Sequence, residues 1–154
     1  MQIPVHGWAQ QKEHLIPINY QKTAFIDGEK VRTEYVAYTA AKEKMYKDFV
    51  ANRKSYEEAT HKLDQQAKDR KPQVAEKAAA SRTELQNQYT AGLKQRGADR
   101  MALTKNYEQK IRLTIDSVMR EGAFTGLKAS KDNTTGSTGL DITDKVLQRL
   151  NQNQ

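Results

Sequence analysis

The chain has 154 residues, of which 36% are hydrophobic, 7% aromatic and 29% charged, with a net charge of +7. Its mean hydropathy is −0.92. Even with glycine added, the apolar share falls short of the about 45–50% usual in soluble domains, so the chain can bury a stripe but not a thick core. This excludes an ordinary compact enzyme and points to one domain of elongated helices that complete their burial on other chains.

Cysteine is absent, which removes disulfides, thiolate nucleophiles and cysteine metal sites. No run of apolar residues is long enough to cross a bilayer as a helix, so no stable membrane span is expected. The segment Met1–Tyr20 has Pro4, Gly7 and a Gln-Gln-Lys-Glu run where a signal peptide needs an apolar core.

Residues 1–28 mix Pro4 and Pro17 with bulky apolar side chains in no helical period, and Asp27-Gly28 reads as a turn. This is an irregular docking arm, with Trp8, Ile16 and Ile18 as its anchors. Residues 29–70 are free of Gly and Pro and predict one long helix. Alternate steps of four and three from Val31 give Tyr35, Tyr38, Lys42, Met45, Phe49, Asn52, Tyr56, Ala59, Leu63 and Gln66. That is the seam of a left-handed coiled coil, interrupted by polar residues that select register and partner number.

Pro72 follows. A helical pattern resumes over 73–121 with Leu85, Tyr89, Leu93, Arg96, Arg100, Leu103, Tyr107, Ile111, Ile115 and Val118. The mean step is about 3.67 residues, a straight or weakly right-handed seam. Gly92 and Gly97 mark a site for a bend. Pro72 either reverses the chain into a hairpin or kinks one long rod, and the lack of Gly or Asn in Lys68–Gln73 weighs against the hairpin. Residues 125–139 read as a flexible Thr/Ser/Gly linker. In the tail, 140–154, Asp141 caps a short helix whose Ile142, Val146, Leu147 and Leu150 share one face. Such a helix is too short to be stable alone, so it is expected to dock into a neighbouring subunit.

Charges of both signs are interspersed, with 10 basic and 8 acidic groups in 29–70 and 10 basic and 6 acidic in 71–121. Lys94, Arg96 and Arg100 are the candidates for phosphate contact, with Lys105, Lys110 and Arg112 continuing a diffuse patch. Tyrosines at helical spacing read as packing groups at a half-wet interface. His6, His14 and His61 have no metal-ligand spacing, and no phosphate-binding or nucleophile motif occurs. No catalytic residue, metal or cofactor is expected.

The Ala-, Gln-, Asn-, Lys- and Tyr-rich helices Asn52–Ala67 and Ala79–Gln95, with the polar linker before a terminal helix, resemble the internal core or ejection proteins of short-tailed bacteriophages. The resemblance covers about residues 29–121 by composition and pattern. It implies a structural role in genome ejection, inside the virion near the portal, after assembly in the host cytoplasm. The expectation is an all-α, elongated, non-enzymatic subunit that partners copies of itself or other virion proteins. The alternative is a basic helical protein making non-specific nucleic-acid contacts.

Overall fold

The computed structural model describes residues 22–153. Its elements in chain order are strand β1 (Thr23–Ile26) and helices α1 (Gly28–Glu34), α2 (Val36–Gln66) and α3 (Pro72–Glu121). Strand β2 (Gly126–Ala129), two single-turn 3-10 segments (Ser130–Asp132 and Thr138–Leu140) and helix α4 (Thr143–Gln152) follow. The elongated helical architecture expected from the sequence is what forms. Trp8, Ile16 and Ile18 lie outside the described residues.

Pro72 marks a reversal: α2 and α3 form an antiparallel hairpin. Tyr38 stacks on Tyr107 with ring centroids 4.9 Å apart, and Tyr56 stacks on Tyr89 at 4.0 Å. The two pairs are equally far apart in sequence on both helices, so the register holds without a slip between them. Near the tip Arg82 reaches Asp64 at 3.0 Å. The turn needs no glycine because Asp69 does the work, its Oδ1 accepting the Lys71 N–H at 2.8 Å. Pro72 then opens α3 at its first turn, where a missing N–H costs no hydrogen bond. At 1.5 Å per residue α3 is about 75 Å long, and it runs as one helix through Gly92 and Gly97.

The other end is a base. β1 and β2 pair in parallel, Thr23 opposite Gly126 through Ile26 opposite Ala129, and Phe25 also bridges Asp141. The whole hairpin is thus inserted between two parallel strands. Ala24, Ile26, Val31, Tyr35, Ile111, Val118, Ile142, Val146, Leu147 and Leu150 form the core, closed by Leu103, Tyr107, Ile115 and Phe124.

Four expectations are corrected. Residues 22–28 are not irregular: Thr23–Ile26 is a strand, and Asp27 is the N-cap of α1, its Oδ1 accepting the Lys30 N–H at 2.9 Å. Residues 125–139 are not a free linker, since Gly126–Ala129 pairs with β1. The helix over 29–70 breaks at Tyr35, whose ψ of 99° is extended. Asn151 of α4 holds that break, donating to the Glu34 carbonyl at 3.1 Å and accepting the Val36 N–H at 3.0 Å. Finally, Ile142, Val146, Leu147 and Leu150 do not dock into a neighbour. They are at most 6% exposed within their own chain, because the strand pair and the root of the hairpin supply the apolar surface α4 needs.

Candidate interaction surface

At the hairpin root, packing is dense. Tyr35, Tyr38 and Tyr107 meet as a trio, with Tyr35 edge-on to both partners. Burial and then the nearby Tyr107 push the Tyr35 hydroxyl pKa upward, so it stays protonated. Ion pairs bind α1 and α4 to the root: Arg32 makes a two-pronged contact with Glu108 at 2.7 and 3.1 Å. Arg149 grips both carboxylate oxygens of Glu121 and also donates to Ser117. Hydrogen bonding and charge from Arg149, with Lys145 adding to them, hold the Glu121 carboxyl below its ordinary pKa.

Outward from the root the packing thins. Met45, Tyr56, Leu63, Leu85 and Tyr89 are half-buried between the helices, as the seams require. Phe49 is exposed at 36%, and of the α3 residues beyond the root only Ala78 is fully buried. Leu93 is corrected: it leaves the seam and is 38% exposed, while Gly92 takes the half-buried position. The inner face of this part of α3 reads Ala75, Ala78, Ser81, Leu85, Tyr89, Gly92 and Arg96. That spacing is close to the heptad step of α2. A scan for large apolar residues misses it because small and polar groups fill five of the seven positions. Leu103, Tyr107, Ile111 and Ile115 face the root as expected.

The three phosphate candidates separate. Arg96 lies in the seam, its guanidinium 5.8 Å from the Phe49 ring centre and 5.6 Å from that of Tyr89. Its Nε is shielded from solvent and has no acceptor among the described residues. Arg100 is exposed on the edge of a groove between the helices, whose apolar wall includes Met45, Phe49, Leu93 and Leu103. Lys94 is exposed and does not line that groove.

Five of the exposed large apolar side chains sit at this one level of the hairpin: Tyr46 (68%), Phe49, Val50, Leu93 and Met101 (75%). Scattered exposed apolar residues are ordinary, whereas a cluster at one level marks a contact surface. Sequence reasoning missed it because Tyr46, Val50 and Met101 lie off both seams. At the base, β2 has β1 on one side and no strand on the other among the described residues, and Leu127 on it is 41% exposed.

Among the described residues no group of His, Asp and Glu has the arrangement of a metal site. No helix there is long and apolar enough to cross a membrane. No protein-family model matches the chain, and no curated protein is significantly similar to it.

Proposed function

We propose that the protein is a non-enzymatic subunit of a multi-chain assembly, with a base that joins further copies and a helical hairpin that engages other protein chains. The apolar cluster halfway along the hairpin carries the reading. Tyr46, Phe49, Val50, Leu93 and Met101 stand exposed on a two-helix arm, and no third element among the described residues covers them. The edge of β2 that meets no strand among the described residues, with Leu127, supports association of copies through the base, because such an edge offers backbone hydrogen bonds to another strand. A bacteriophage particle is the assembly that the helix composition and pattern of residues 29–121 support.

Size-exclusion chromatography with light scattering, at low and high salt, tests the reading. A defined oligomer at both salts is expected, with Leu127→Glu shifting it toward monomer. A monomer under all conditions would overturn association through the base. A nucleic-acid role rests on net charge alone, since Lys94, Arg96 and Arg100 form no common outward patch. DNA binding that weakens steeply with salt would restore it.

A further inference from the structure

We infer that the groove in the middle of the hairpin is a docking site for an acidic amphipathic helix of a partner protein. The inference rests on the proposed role of the hairpin and names the chemistry of what it holds. Along α2 the groove is lined by Lys42, Met45, Tyr46 and Phe49, spaced by three, four and seven residues. Along α3 it is lined from Leu93 to Thr104 at similar helical intervals. Two antiparallel helices presenting such rows offer ridges and a furrow that a third helix fills. The lined lengths, about 10 Å on α2 and 16 Å on α3, match two to three turns of that helix.

Charge selects the occupant. Lys42, Arg96 and Arg100 line the groove and no carboxylate does. None of the three makes an ion pair among the described residues. The nearby acids are otherwise engaged: Glu43 with Lys47, Asp48 with Lys44, and Asp99 with the Gln95 amide. Lys42 lies 4.2 Å from the Tyr38 ring centre, and Arg96 lies over Phe49 and Tyr89, so aromatic faces hold both cations while their charge stays uncompensated. A second copy is a poor occupant, because each chain carries +7. Residues 1–21 offer a single acid, Glu13, beside Lys12.

The floor is also open at Gly97, where an added Cβ would meet nothing within 4 Å. Glycine weakens a helix interior relative to alanine. At this position its effect is to leave room between the cations.

The test uses the full chain and a fluorescent helical peptide of about five turns bearing leucines on one face and glutamates along its flanks. Saturable binding by anisotropy is expected, and a peptide with lysine replacing glutamate should bind at least about tenfold more weakly. R96Q/R100Q should cost about tenfold in affinity and flatten the salt dependence. G97L, which favours the helix and projects a side chain into the groove, should block binding without loss of helix content. Equal binding of both peptides or unchanged binding to G97L would overturn the site, and binding seen only after removal of residues 1–21 would overturn the partner helix as its occupant in favour of that segment. An oligomer that persists in light scattering while the peptide fails to bind would sink this inference and leave the proposed assembly role standing.

Discussion

Gly122 and Ala123, at the end of α3, divide a job that one glycine usually does. Ala123 has φ of +54°, the left-handed conformation that costs a side chain about 1–2 kcal/mol. Gly122 has an ordinary φ, but a Cβ there would clash with the Phe124 ring, which Lys22 covers from 4.4 Å. The two substitutions should therefore have opposite signs in urea melts: Ala123→Gly stabilises by about 0.5–1 kcal/mol, and Gly122→Ala destabilises because the ring must move. Asn151 supplies a third case. Its amide satisfies both backbone groups freed by the break at Tyr35, so Asn151→Leu should cost about 1–2 kcal/mol. A melt of that variant indistinguishable from wild type would show that water replaces the amide.

Helix α4 and the outer hairpin illustrate opposite ways for an element to be held. Helix α4 has ten residues and is stable only because Val146, Leu147 and Leu150 are buried against β1, α1 and α3. Leu150→Ala should then cost about 2–5 kcal/mol, as for other buried leucines. Replacing Leu147 and Leu150 by Asp should unfold the base rather than block docking alone. The outer hairpin is the reverse: long, regular and thinly packed, with one stacked tyrosine pair and Ala78 as its best-buried contacts. Amide hydrogen exchange should run faster in residues 50–90 than in the inner turns of α3 around Ile111 and Val118. Equal protection along the whole hairpin would mean that something else covers it, as the docking proposal requires in a complex.

Across the whole molecule, carboxylates bind base to hairpin and make stability depend on acid. The Glu121 carboxyl is lowered by Arg149. Burial pushes Asp141 up, but hydrogen bonds from the Ser130 and Thr143 hydroxyls and the Thr143 amide outweigh it and leave Asp141 below its ordinary value. A folded-state pKa below the unfolded one means these contacts stabilise fully above the usual carboxylate range, about pH 4. The contribution falls away as pH drops through the folded values. Thermal melts should therefore lose stability below about pH 4, and Arg149→Gln should lose less over that interval because its Glu121 no longer gains from folding. A parallel loss in both would place the acid sensitivity elsewhere.

Local information was enough for the two long helices, most of the α2 seam, the root half of the α3 seam and the amphipathic face of α4, because regular helical spacing of Tyr, Leu and Ile is written directly in the residues. It was not enough for what those faces meet. Thr23–Ile26 and Gly126–Ala129 are four-residue strands a hundred positions apart, and neither is strand-like until the other lies beside it. The break at Tyr35 depends on Asn151 arriving from the far end of the chain. Reversal at Pro72 turned on an aspartate side chain doing what glycine or asparagine was expected to do. Periodicity fixes which side of a helix is apolar. Only tertiary structure decides whether that side is covered by the same chain, as in α4, or left open halfway along the hairpin, because burial depends on contacts between residues remote in sequence.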